Sequence, residues 1–98
     1  MTLQIRTKNL ELTPALKEYA EKRFAKLDRF SNNIIHSELS LQEQRGQFFG
    51  EFILKVKGRT LKVSGVDKDP MALVDHLKDT MAVSLKHYES RIKEHHTE

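Results

Sequence analysis

The chain has no cysteine, no tryptophan, two prolines and four glycines in 98 residues. Without thiols it forms no disulfide, no thiolate nucleophile and no cysteine-ligated zinc or iron–sulfur centre. No apolar run approaches the length that spans a bilayer. The opening "MTLQIRTKNLELT" alternates polar residues where a secretion signal needs an unbroken apolar stretch. The expectation is a soluble, cytoplasmic protein with no membrane attachment. One core, and therefore one domain over 1–98, fits this length.

Chemistry is equally sparse. The five histidines show no tight ligand spacing with carboxylates, and His95 and His96 stand at the C-terminal end where no geometry is fixed, so no metal is expected. No serine or lysine stands beside a believable base and orienting carboxylate. The glycines form no phosphate-cradling loop, and Gly46 and Gly58 read as turn residues. The sequence thus predicts no enzyme, no cofactor and no small-molecule substrate.

What is present is basic charge and a clear pattern of elements. Seventeen Lys and Arg against fourteen Asp and Glu give a net charge of +3 and a pI near 9.3, a balance that favours polyanionic partners without requiring them. "LQIRTK" (3–8) alternates like a half-buried strand. Thr13 followed by Pro14 is a cap and a first-turn proline, which starts a helix running to about 29. "IIHSELSLQEQ", "FFGEFILKVK" and "RTLKVSGV" are three strands joined as consecutive hairpins. Asp69 and Pro70 repeat the start signal for a second helix over about 70–93, with Val74, Leu77, Met81, Leu85, Tyr88 and Ile92 at three- and four-residue spacing.

The order β-α-β-β-β-α predicts an α+β fold. A helical crossover makes strands one and two parallel if adjacent, and hairpins make strands two to four antiparallel, giving a mixed sheet of four strands. Each strand has one convincingly apolar face (Leu3 and Ile5; Leu39 and Leu41; Phe52, Leu54 and Val56; Leu61 and Val63). Both helices should therefore cover the same side and leave the other wet. "RGQFFGEF" (45–52) resembles the aromatic strand motif of RNA-recognition domains, but the phase puts Phe48 and Phe52 inward and leaves Phe49 alone outside. Core packing is the preferred reading.

On the first helix, Leu16, Tyr19, Ala20, Phe24, Leu27 and Phe30 form one apolar stripe. Lys22, Lys26 and Arg29 line one flank, Glu21 and Asp28 the other. Arg23 falls within the stripe, and the groove between the helices is its expected place. The bland reading of the basic flank is a solvated face with a Glu18–Lys22 pair. On the second helix the exposed face starts with Asp75 and Asp79 and ends with Lys86, Arg91 and Lys93, an order that complements the helix dipole and also gathers cations that can track phosphates. The outer sheet face adds Arg6, Lys8, Lys55, Lys57 and Lys62. Pattern alone does not rank the two basic surfaces.

The whole chain resembles the ribosome hibernation promoting factor family, also called the sigma-54 modulation or ribosome-associated inhibitor family. The likeness rests on "LQIRTKNLELTPALKEYAEKRFAKLDRF" and on the second helix entered through "DKDPMALVDHL". It implies a fold similar to double-stranded RNA-binding domains. It also implies binding to the small ribosomal subunit and its rRNA, in the channel that messenger and transfer RNAs use, and silencing of bacterial translation in stationary phase or starvation. The residues carried over by position are Lys22, Arg23 and Lys26, with Arg29 extending the row and Lys86 on the second helix. His87 stands in a further basic position, and Arg91 and Lys93 complete the expected rRNA-binding set.

The departure is "DTMAVSLKHYESRIK", which puts Thr80 and Val83 where lysine and arginine are expected. The chain's length resembles the short form of the family, expected to assist ribosome pairing together with a separate small modulation factor. Two alternatives from other classes are a protein-interaction module acting on a transcription factor, and a general binder of structured RNA.

Overall fold

The computed structural model describes residues 1–96, with side chains as far as Ile92. The elements are β1 (Leu3–Lys8), α1 (Pro14–Ala25), β2 (Ile34–Gln44), β3 (Gln47–Val56), β4 (Arg59–Asp67) and α2 (Pro70–His96), and a 3-10 turn over Lys26–Arg29 continues α1. The sheet order is β1-β2-β3-β4. β1 runs parallel to β2 with Ile5 opposite Leu39, whereas β2–β3 and β3–β4 are antiparallel hairpins. This is the α+β, mixed four-stranded fold that the sequence pattern predicts.

Local chemistry explains the boundaries. The Leu16 amide donates to Thr13 Oγ1 at 3.2 Å, and Pro14 sits where no helical hydrogen bond is lost. At α2 the Met71 amide donates to Asp69 Oδ1 at 3.0 Å, the same device one residue before Pro70. Arg45 (φ 52°) and Gly46 (φ 78°) are both left-handed, as a two-residue turn matched to strand twist requires. The predicted helix over 14–29 is helical throughout, but its last four residues tighten into the 3-10 form, and α2 runs three residues beyond the predicted end.

Both helices pack on one face of the sheet. The core contains Leu16, Ala20, Phe24 and Leu27 from the first helical stretch, Leu39, Leu41, Phe52, Leu54, Val56 and Val63 from the sheet, and Leu73, Val74, Leu77, Met81, Leu85 and Tyr88 from α2. Phe24 stacks on Phe52 with ring centroids 4.0 Å apart and planes 16° from parallel. Leu3, Ile5 and Leu61, on the edge strands, are only half-buried. A Cβ on Gly50 would lie 2.9 Å from methyls of both Leu73 and Leu77, so glycine there lets α2 lie close on β3.

The inward phase of β3 is directly testable with two alanine substitutions three residues apart. Phe52→Ala removes a fully buried ring and should cost about 3–5 kcal/mol. Phe49→Ala, on the outer face, should cost under about 1 kcal/mol. Urea unfolding midpoints give the comparison, and equal losses would mean that the strand's faces are exchanged.

Candidate nucleic-acid interface

With Phe24 and Leu27 against the sheet, Lys22 on α1 and Lys26 and Arg29 on the 3-10 turn that continues it face outward as one row. All three are exposed. Ion pairs among the described residues are Met1 ammonium–Asp28, Arg23–Asp75, His36–Glu38, Lys62–Glu51 and Lys78–Asp79. None engages the row, and Glu18 does not pair with Lys22. Asp28, the carboxylate nearest Arg29 in sequence, is occupied by the N-terminal ammonium at 3.0 Å.

Arg23 lies in the groove between the helices, as its place in the stripe predicts. Its Nε donates toward Asp75 Oδ1 at 3.2 Å, and its guanidinium carbon sits 4.9 Å from the centre of the Tyr19 ring. The Tyr19 hydroxyl donates to the other oxygen, Asp75 Oδ2, at 2.7 Å. Asp75 therefore does not belong to a freely solvated face, contrary to the sequence reading. It faces α1, because two donors on α1 reach its two oxygens.

Further along, the Lys86 ammonium lies 4.8 Å over the Phe30 ring, a favourable cation–π arrangement. Tyr19 and Phe30 are separated by the same number of residues as Asp75 and Lys86, so the helices run side by side in the same direction. Lys22, Arg23, Lys26, Arg29 and Lys86 consequently share one ridge around the groove. His87 and Arg91, one turn apart, lie on the flank of α2 turned away from α1, since Asp75 and Lys86 mark the flank that faces it. The structure thus splits the sequence-predicted set into a joined group of five and a separate pair. The Lys93 side chain lies outside the described residues, as do those of His95 and His96.

The outer sheet face carries Arg6, Lys8, Lys55 and Lys62, with Lys57 in the turn after β3. Carboxylates are mixed among them. Glu51 accepts from Lys62 at 3.2 Å, and Glu38 lies 3.0 Å from His36 Nε2. The hydrogen bond from His36 holds the Glu38 carboxyl below the usual range, and Arg6 and Lys55 add to this. Charge on this face is partly compensated, whereas among the described residues the helical ridge is compensated only at Arg23.

Residues 3–93 match the family described as Sigma 54 modulation protein / S30EA ribosomal protein. The chain belongs to this family. It is 30% identical over 95 residues to the ribosome hibernation promoting factor of Escherichia coli K12, a match that covers 97% of this chain and 100% of that one. It is 26% identical over 81 residues to the ribosome-associated factor Y of Haemophilus influenzae, covering 83% and 76%. Among solved structures, the N-terminal domain of Thermus thermophilus Protein Y superposes with a TM-score of 0.83 at 26% identity, covering 90% of this chain and 99% of that one. A ribosomal subunit interface protein of Coxiella burnetii shares the fold with a TM-score of 0.86 at 20% identity, covering 92% and 99%. As a member of the sigma 54 modulation family the protein is a binding protein rather than an enzyme.

Within this family member, Thr80 and Val83 add no cation to α2. The Thr80 hydroxyl donates to the His76 carbonyl at 2.8 Å, and Val83 is 56% exposed. Contacts that sequence reading missed hold the ridge in place. Glu89 Oε2 accepts from Ser31 Oγ and from Asn33 Nδ2, each at 3.0 Å, and ties the segment after Phe30 to α2. The Tyr88 hydroxyl donates to the Lys57 carbonyl at 2.6 Å. These partners lie more than thirty residues apart and leave no local signature.

The Tyr19–Asp75 bond has a titration signature. The hydrogen bond that its hydroxyl donates to the Asp75 carboxylate raises the Tyr19 pKa, burial adds to this and Arg23 opposes it; Tyr88 is raised by burial and then by Glu89. The stabilisation linked to a raised tyrosine is complete below the free value of about 10 and is lost as pH climbs through the folded value. Phenolate absorbance should therefore show both tyrosines ionising above about 10. Asp75→Asn should lower the Tyr19 step and leave the Tyr88 step in place. An unchanged Tyr19 titration would contradict the hydrogen bond to Asp75.

Proposed function

We propose that the protein is a ribosome hibernation factor of the bacterial cytoplasm. It binds rRNA of the small ribosomal subunit through the ridge of Lys22, Arg23, Lys26, Arg29 and Lys86, and blocks the channel that messenger and transfer RNAs use. The observation that carries this reading is the row of Lys22, Lys26 and Arg29, three exposed cations with no carboxylate partner among the described residues, continued across the groove by Arg23 and Lys86. Membership of a family whose relatives are named for ribosome hibernation supports the partner. His87, Arg91 and Lys93 form a second, weaker set of contacts along α2.

Occlusion requires one molecule per ribosome and no reacting group. In this proposal the protein silences translation in stationary phase or starvation and assists ribosome pairing by a separate small modulation factor, a reading supported by its likeness to the E. coli ribosome hibernation promoting factor along that protein's whole length. No described helix is long and apolar enough to cross a membrane, in keeping with a cytoplasmic partner.

Two measurements test this. Added to cell-free translation, the protein should inhibit without turnover and saturate near equivalence with ribosomes; full inhibition at a small fraction of the ribosome concentration would rule out occlusion. Lys22→Glu, Lys26→Glu and Arg29→Glu together should abolish co-sedimentation with small subunits and reduce the salt slope by roughly three, one for each phosphate contact. The same reversals at Lys55, Lys57 and Lys62 should have the smaller effect. The opposite ranking would move the rRNA contact to the sheet.

A further inference from the structure

The outer face of the sheet contains a trough of about 690 Å³ that the ridge does not use. Its cause is the side-chain sizes in two adjacent cross-strand rows. Register places Arg6, Ser40, Glu51 and Ser64 in one row, and Lys8, Gln42, Phe49 and Val66 in the next. The serines are low and Phe49 and Val66 stand high, so a hollow opens beside an aromatic wall. Phe49 is 40% exposed and Val66 51%. An aromatic ring left partly in water on this face is the feature that core packing does not explain, since Phe48 and Phe52 already serve the core from the opposite side.

The charges around this wall are asymmetric. Arg6 and Lys8 rim the β1 side, and neither has an ion-pair partner among the described residues. The one carboxylate in the trough, Glu51, is engaged by Lys62 at 3.2 Å, one row away from Phe49. Lys8 and Phe49 are two strand spacings apart, about 10 Å between backbones, and Gln42 stands between them on β2. A flat apolar ring, an amide with donor and acceptor groups, and a cation therefore lie in sequence across the sheet. Those are the groups that meet a base face, a base edge and a phosphate.

We infer that this trough is a second nucleic-acid site, which takes one nucleotide of a single strand, its base stacked on Phe49, its edge on Gln42 and its phosphate on Lys8 and Arg6. A duplex does not fit this use, because its bases are already stacked and paired. The site is independent of the helical ridge and faces the other way, so a ribosome-bound molecule can hold an unpaired RNA segment on its far side. An acidic protein segment would satisfy Arg6 and Lys8 but leave the ring of Phe49 without a partner, which is why a nucleotide is the better occupant.

The test is titration of the isotope-labelled full chain with a single-stranded uridine hexamer, followed by amide shifts and by fluorescence of the labelled RNA. Shifts should appear in the facing stretches of β1, β2, β3 and β4. Phe49→Ala should weaken binding about tenfold, within the range of one stacked base. Phe49→Trp should retain binding, and its fluorescence should be quenched by the hexamer, a readout that holds even if the alanine variant proves unstable. Arg6→Glu with Lys8→Glu should weaken binding and lower the salt slope by roughly two. The triple reversal at Lys22, Lys26 and Arg29 should leave hexamer binding intact, which separates this site from the ridge. Shifts confined to α1 and α2, unchanged affinity in Phe49→Ala, an unquenched tryptophan, or a hexaglutamate peptide that binds as tightly as the hexamer would each overturn the inference.

Discussion

The stacked pair of Phe24 and Phe52 is the contact from which the rest of the molecule takes its orientation. Both rings are fully buried, 4.0 Å apart. Fixing Phe24 inward leaves α1 one rotational setting, and at 100° per residue that setting sends Lys22 to the opposite side of the helix, while the 3-10 turn that follows leaves Lys26 and Arg29 exposed. Fixing Phe52 inward sets the parity of β3, so Phe49, an odd number of residues away, must face out. One aromatic contact thus determines the direction of both basic surfaces. Neither surface needs a dedicated scaffold, because each is the far side of a core element.

The second constraint is lateral. Asp75 holds α2 against α1 through Tyr19 and Arg23, and Glu89 repeats the arrangement lower down through Ser31 and Asn33. Each acid sits on α2 and each takes two donors from the first half of the chain. Polar contacts therefore recur along the groove, and the Lys86 ammonium stands 4.8 Å over the Phe30 ring between them. Charge at the groove is therefore graded, with Arg23 neutralised in part and Lys22, Lys26 and Arg29 uncompensated. In the proposed binding mode this gradient lays the polyanion along α1 and past its C-terminal end.

Much of this was legible in the residues. The alternation of "LQIRTK" and the Thr13–Pro14 and Asp69–Pro70 starts place the elements within a residue or three, because capping and period are local physics. The row on α1 was legible for the same reason. The assignment of Asp75 to a solvated face failed since its partners, Tyr19 and Arg23, are 56 and 52 positions away, and a helical wheel does not say which flank meets a neighbour. The separation of His87 and Arg91 from Lys86 was hidden for that reason too. The 3-10 ending of α1 has no strong breaker in "KLDR"; it belongs to a chain that must turn at once into a segment pinned by Glu89.

The parallel pairing of β1 with β2 has a consequence for assembly. The hairpins of β2, β3 and β4 close through two-residue turns, whereas Leu3 meets Ser37 only after the intervening helix and turn are gathered in. Loop closure is cheap for the first set of contacts and dear for the second. The three-stranded meander is therefore the unit expected to form first, carrying Phe52 and Phe49 in their final phases, and the trough is complete only when β1 docks and adds Arg6 and Lys8 to its rim.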